Sequence, residues 1–161
     1  MKSFYWVDGW LLSHAGIHLN LLHPIKGFNL DDLRRLEENS LNYCSADIST
    51  PMFGCGVSRG GSYSCGGITW QDFDVDFAPI EGINQIVGHT PRLKVGVKFM
   101  GSSTEDCIQC SWDKYLSSYK KVPKRSLNLD IDTCRRYYAI LENGEVQIIK
   151  NTFATEQDFA Q

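Results

Sequence analysis

The sequence predicts an α+β fold that is mostly β, as one domain over residues 1–153 followed by a flexible tail at 154–161. Hairpin signals stand near both ends of the chain, at Asp8-Gly9 and Asn143-Gly144. Between them, short apolar runs bounded by glycine are too short for typical helices and favour strands. One segment has helical periodicity, and the polar C-terminal residues are expected to fray.

The predicted elements follow in chain order. Phe4–Val7 and Trp10–Ser13 form the first hairpin, and a helix from about residue 30 to 41 carries leucines along one face, with Asn29 as its cap. Residues 42–67, rich in glycine, serine and cysteine, are predicted to be a long loop. Further strands are expected at about 84–87, 94–99, 136–141 and 145–150, with a short helix near 113–119.

Composition indicates a soluble domain without affinity for nucleic acid. The chain has 161 residues, 42% of them hydrophobic, and a net charge of −3, which provides no positive surface for nucleic acid or an anionic membrane. No apolar run reaches the ~18–20 residues of a membrane span, and no signal peptide begins the chain. The sequence therefore predicts a cytoplasmic protein that binds neither nucleic acid nor membranes.

Two apolar runs each end in a histidine between small residues. Leu11-Leu12-Ser13-His14-Ala15-Gly16 is the first, and Ile83 to Pro91, with the sequence INQIVGHTP, is the second. A strand that ends in histidine can direct an imidazole nitrogen at a metal ion, and small neighbours leave room for that ion. Either histidine could instead be structural, and the pattern alone leaves both interpretations open.

Several segments together resemble a known family. They are Ser13-His14-Ala15-Gly16, Gly88-His89-Thr90-Pro91, Ser58-Arg59-Gly60-Gly61, the Gly66–Phe73 segment GGITWQDF and the Asn128–Cys134 segment NLDIDTC. From about Leu11 to Ile149, the chain resembles calcineurin-like metallophosphoesterases, specifically phosphoprotein phosphatases of the bacterial and phage branch. The resemblance implies a sandwich of two mixed sheets with outer helices, and a phosphorylated substrate.

The resemblance also implies roles for particular residues. His14 and His89 would be ligands of the second ion in a site for two divalent metals, manganese or iron, at which a metal-bound hydroxide hydrolyses a phosphoester. Arg59 would bind the substrate phosphate, since a planar guanidinium suits phosphate oxygens. Gly88 and Thr90 would shape the loop that carries His89.

Three motifs of that family, Gly-Asp-x-His-Gly, Gly-Asp-x-x-Asp-Arg-Gly and Gly-Asn-His-Glu, do not occur in the sequence. They would supply the remaining ligands and the catalytic histidine. We therefore expect the C-terminal half of the fold with the N-terminal half absent, no catalytic residue in this half, at most partial metal binding and no hydrolysis alone. The uncovered surface predicts pairing with the missing half or self-association.

Other patterns leave alternatives open. Asp72, Asp74 and Asp76 alternate with apolar residues, which predicts three carboxylates on one face of a strand, as extra ligands or as a solvated edge. Cys107-Ile108-Gln109-Cys110 could belong to a zinc or thiol site, although free reduced cysteines fit a cytosolic chain. A binding or assembly module without catalysis is a further alternative. The chain departs from the family at two positions. Many relatives have an arginine two residues after the tryptophan, where this chain has Asp72 after Trp70. The closing Asp-Thr-Gly of the family is Asp132-Thr133-Cys134 here.

Overall fold

The computed structural model describes residues 2–21, 30–100, 109–112, 116–120 and 126–153. One α-helix, α1, spans Leu30–Ser45, and short 3-10 helices lie at Leu19–Leu21 and Val57–Arg59. The strands are β1 Phe4–Val7, β2 Trp10–Ser13, β3 Asn84–Val87, β4 Gly96–Met100, β5 Gln109–Trp112, β6 Leu116–Lys120, β7 Ser126–Asp130, β8 Tyr137–Glu142 and β9 Glu145–Lys150. The described residues thus form a mixed α+β structure that is mostly strand, as predicted.

The strands form two sheets. A five-stranded mixed sheet has the order β1-β2-β3-β7-β4, in which β2, β3 and β7 are parallel and the two outer strands are antiparallel to their neighbours. A four-stranded antiparallel sheet has the order β5-β6-β9-β8. Because three parallel neighbours run in one direction, the residues that follow them emerge at one edge of the sheet.

Apolar side chains cover both faces of the five-stranded sheet. One cluster joins it to the four-stranded sheet, and its buried members are Trp10, Ile86, Leu127, Leu129, Val146 and Ile148. A second cluster, which includes Leu11, Ile68 and Ile83, lies under Leu33 of α1. One apolar cluster therefore joins the two sheets, and a separate one packs the five-stranded sheet against the helix.

A third, smaller cluster lies close to the histidine-bearing segments. Phe73, Phe77 and Val87 are buried together, and the two phenylalanine rings stack 5.0 Å apart. Gly16, directly after the first histidine segment, has a φ of +100°, and a Cβ there would lie 2.6 Å from a ring carbon of Phe77. Glycine is required at this position both for the backbone conformation and for the approach of the ring.

Several predicted elements are confirmed. β1, β2, β3 and β9 have the predicted bounds, and β4 and β8 lie within two residues of theirs. The helix begins at Leu30 but continues to Ser45, so the first residues of the predicted loop are helical. Within the described part of the chain, none of the helices has the length and apolar character that a membrane crossing requires.

Two predicted elements are wrong. The helix expected near 113–119 is replaced, over Leu116–Lys120, by a strand that pairs with β9, because tertiary pairing overrides weak local propensity. The strand expected to carry Asp72, Asp74 and Asp76 is a turn. The N–H groups of Asp76 and Phe77 both donate to the carbonyl of Asp72, and the three carboxylates do not share a strand face.

Some sequence predictions lie outside the described residues. These are the cap at Asn29, the position of Cys107 and the tail at 154–161. For Cys110 the structure describes the backbone, as part of β5, and not the side chain. The zinc or thiol alternative therefore stays a prediction.

Candidate functional site

The two histidines singled out by the sequence lie side by side. His14 follows β2 and His89 follows β3 by two residues, so both stand at the carboxyl edge of the parallel strands. The Nε2 atom of His14 lies 2.8 Å from Nδ1 of His89, and the ring centroids are 4.7 Å apart. The N–H of Gly88 donates to the carbonyl of His14 at 2.8 Å and ties the two segments together.

The backbone at His89 has an unusual conformation. Its φ is +74°, in the left-handed region that residues other than glycine, asparagine and aspartate seldom adopt. Such a conformation costs of order 1–3 kcal/mol and persists where surrounding contacts enforce it. The hydrogen bond of Gly88 on one side and the buried Thr90 on the other supply those contacts. Gly88 and Thr90 thus fix the backbone on both sides of His89.

Thr90 links the histidine loop to the arginine. Its Oγ1 atom accepts a hydrogen bond from the N–H of Phe73 at 2.9 Å and another from Nη2 of Arg59 at 3.2 Å. Arg59 also forms an ion pair with Asp72, with Nη2 and Oδ2 2.8 Å apart. The same Asp72 accepts the N–H groups of Asp74 and Val75 through Oδ1, which fixes the turn.

The environment of His89 favours its neutral form. Burial lowers the pKa of His89, and the neighbouring His14 and Arg59 lower it further, whereas Asp132 and Asp72 act in the opposite direction. A neutral imidazole can donate a lone pair to a metal ion, and a protonated one cannot. Burial and the neighbouring positive charge of Arg59 thus favour the neutral imidazole of His89.

Three further residues lie near this site, of which the sequence analysis considered only Asp72, as a possible extra ligand. Asp132 comes two residues after β7, the third parallel strand, and interacts electrostatically with His89. The Trp70 ring meets the His89 ring edge-on at 5.4 Å between centroids and is 46% exposed. Asp72 is the partner of Arg59. The position of Asp132 after an apolar strand was a usable signal. Trp70 and Asp72 lie in the Gly66–Phe73 segment that carries the resemblance, but the sequence did not indicate their contacts with His89 and Arg59.

The separation of the two ring nitrogens suits either a hydrogen bond between the imidazoles or two ligands of one metal ion. Two nitrogen ligands about 2.1 Å from one ion and at right angles to each other stand about 3.0 Å apart, close to the observed separation. Among the described residues, however, no group of three or more histidine, cysteine, aspartate or glutamate side chains is placed to hold an ion. The Nε2 atom of His89 is buried and has no hydrogen-bond partner among those residues, so a usual orienting contact of a metal-bound histidine is not formed there.

A mostly apolar depression of about 280 Å³ borders His14 at the same sheet edge. It is lined by residues from the ends of the three parallel strands, namely Leu12, Ser13, His14, Ile86, Val87, Gly88 and Ile131. Ligand sites of open sheets with parallel strands commonly lie at this edge. Comparisons of the chain with family models, with curated proteins and with solved structures found no match.

Proposed function

We propose that this chain is the C-terminal half of a metal-dependent phosphatase of the calcineurin-like type and carries half of its metal site. The observation that carries the proposal is the convergence of His14 and His89, whose nitrogens approach within 2.8 Å although 75 positions separate them in sequence. Each is the histidine that the resemblance marks as a ligand. The fold, the activity and the metal are parts of the proposal.

In this proposal His14 and His89 hold one divalent ion, manganese or iron, and a second polypeptide segment supplies the other ligands. When bound, the ions supply Lewis-acid polarisation of the phosphoester. The chain's own residues position the ligands: the Gly88 amide fixes the two histidine segments relative to each other, and Thr90 holds the loop against Phe73 and Arg59. Hydrolysis by this chain alone is not expected.

Arg59 has a more constrained role than the resemblance implies. Its guanidinium lies between Asp72 and Thr90, so a substrate phosphate would have to compete with a carboxylate for its donors. A guanidinium has five N–H donors, and two can remain with Asp72 and Thr90 while others reach a phosphate. We therefore place Arg59 at the margin of the proposed site, as a phosphate contact that Asp72 restrains.

The experiment that tests the metal half-site is a titration with Mn²⁺ followed by NMR. Paramagnetic broadening should be strongest for the resonances of His14, Gly88 and His89, and in His89→Ala it should disappear from both histidine-bearing segments. His18→Gln is the matched control, because His18 is a half-buried histidine outside the pair, and this variant should broaden like the wild type. Equal broadening in His89→Ala and wild type would overturn the half-site.

A second measurement tests the activity. The chain alone should hydrolyse p-nitrophenyl phosphate at the background rate with manganese present, and a polypeptide that carries the three missing motifs should restore turnover in trans. His89→Ala should abolish the restored turnover. Turnover by the chain alone that survives in His89→Ala would show that any phosphatase activity does not use this site.

A module that binds without catalysis is the second candidate. The observation that favours it is the ion pair of Arg59 with Asp72, which gives the arginine a structural partner. It predicts a folded chain that neither binds manganese at the histidine pair nor gains activity in trans. The same two measurements therefore separate the candidates.

A further inference from the structure

A cavity of about 490 Å³ lies beside the candidate site, between β4 and the turn at residues 72–77. Its lining includes three cationic side chains, Arg92, Lys94 and Lys98, and one carboxylate, Asp74. Neither His14 nor His89 lines it. Its size falls within the range of small-molecule sites, and its excess of positive charge identifies the kind of ligand to consider.

The guanidinium of Arg92 is held in a defined place. Nη2 of Arg92 lies 2.5 Å from Oδ1 of Asp74, and the guanidinium carbon lies 5.5 Å from the centre of the Phe73 ring. The side chain passes over Gly96, where a Cβ would come within 1.9 Å of Nη1. Glycine at position 96 leaves room for the arginine here, and the contacts with Asp74 and Phe73 restrain its guanidinium.

The ammonium group of Lys98 is also held in place. It donates to the carbonyls of Phe77 at 3.1 Å and Asp74 at 3.3 Å, and lies 5.4 Å from the centre of the Phe73 ring. These contacts use two of its three N–H donors. Burial lowers the pKa of Lys98, and the positive charge of Arg92 lowers it too, whereas Asp74 raises it.

The positive groups of Arg92 and Lys98 both lie close to the Phe73 ring. Because they carry the same charge, they repel each other. Asp74 offsets part of that repulsion, and its side chain is 54% exposed. Asp130, which pairs with Gly96 across β7 and β4, is only partly ionised near neutral pH, because burial raises its pKa to about 7. Like charges that the fold holds together destabilise the empty cavity, and an anion placed between them would remove that cost.

We propose that this cavity binds a phosphate-type oxyanion between the Arg92 guanidinium and the Lys98 ammonium, with Lys94 at its margin. The guanidinium presents a planar fork to two oxygens, and the ammonium supplies a point charge and its third N–H donor. The site is separate from the histidine pair and needs no metal ion. Its ligand is either free phosphate or the phosphoryl group of a phosphomonoester.

The test is a titration of the ¹⁵N-labelled chain with inorganic phosphate and, separately, with O-phosphoethanolamine, at low ionic strength and with sodium chloride as the ionic control. The amides of Asp74, Gly96 and Val97 should shift with a common dissociation constant. Arg92→Gln should raise that constant about tenfold, as expected for the loss of a charge-assisted contact. Tighter binding of one probe identifies the physiological source as ester or free phosphate.

Two variants keep the test decisive. Lys94 is exposed, so Lys94→Gln should preserve the fold while weakening phosphate binding by about threefold, the size of one peripheral charge contact. Arg35→Gln, at an exposed position of α1, is the control for the loss of one positive charge and should leave the titration unchanged. The proposal is overturned if phosphate shifts none of these amides, or if Arg92→Gln and Lys94→Gln weaken binding no more than Arg35→Gln does.

Discussion

The Nε2 atom of His14 and the Nδ1 atom of His89 lie 2.8 Å apart at the carboxyl edge of three parallel strands. Two imidazoles at this distance can share one proton, or turn two lone pairs towards one ion. The left-handed backbone of His89, with a φ of +74°, places its ring in this contact. Backbone strain of this kind persists only where surrounding contacts enforce it.

Asp72 should stabilise the fold in two ways, as the ion-pair partner of Arg59 and as a hydrogen-bond acceptor within the turn at residues 72–77. Asp72→Asn removes the charge next to Arg59 but keeps an oxygen for the N–H groups of Asp74 and Val75. Asp72→Ala removes both contributions and should cost about 1 kcal/mol more than Asp72→Asn. Urea unfolding of the two variants measures the difference, and equal free energies of unfolding would contradict the role of Asp72 in the turn.

Asp130 should make stability depend on pH. Burial raises its pKa to about 7 in the folded chain, above the ~3.9 of an unfolded aspartate. The folded state thus binds more protons between these values, so this contribution is fully present below pH ~4 and is lost as pH rises through 7.

The matched variant is Asp130→Asn, whose amide oxygen can still accept the N–H of Asp132. Between pH 5 and 8 the wild type should lose about 3 kcal/mol of unfolding free energy relative to this variant, the linkage value for such a shift. Thermal or urea unfolding across that range gives the comparison. Parallel pH profiles of the two proteins would refute the raised pKa.

Cys134 stands where the resemblance places a glycine, and its backbone has the conformation that glycine favours. Its φ is +52°, and that of Arg135 is +63°. Cys134→Gly should therefore raise the unfolding free energy by about 0.5–1 kcal/mol. Cys44→Gly is the control with the opposite sign: Cys44 is exposed in α1, where glycine should cost about 1 kcal/mol. Destabilisation by both substitutions in calorimetry would argue against strain at position 134.

Self-association should use the edge of the four-stranded sheet. β8 is the terminal strand of that sheet, and its Tyr138 and Ile140 side chains are 49% and 43% exposed. An exposed edge strand with apolar side chains favours pairing with another chain. Sedimentation velocity at micromolar concentration should show a dimer or larger species, and Ile140→Lys should shift it to monomer. The control Val75→Lys, in the exposed turn, should not change the oligomeric state. A monomeric wild type would disprove the prediction.

Most local structure was predictable because its signals are short-range. Asp8-Gly9 and Asn143-Gly144 fix two hairpins through residues that adopt positive φ, as Asp8, Gly9, Asn143 and Gly144 do. The leucine stripe predicts α1, and glycine-bounded apolar runs predict β3 and its histidine. These features depend on neighbouring residues, which a sequence displays directly.

The sequence by itself determined the mostly-β fold class, the positions of the main strands and the residue types available for chemistry. The resemblance already implied that His14 and His89 meet. Only the tertiary structure decided that Asp72 pairs with Arg59 and that Arg92 and Lys98 share one cavity. The tertiary structure also showed that the Asp72–Asp76 segment, which was predicted to be a strand, forms a turn. The physical reason is that sheet order and side-chain contacts depend on how segments distant in sequence pack together. Local sequence patterns do not reveal the free energy of that packing.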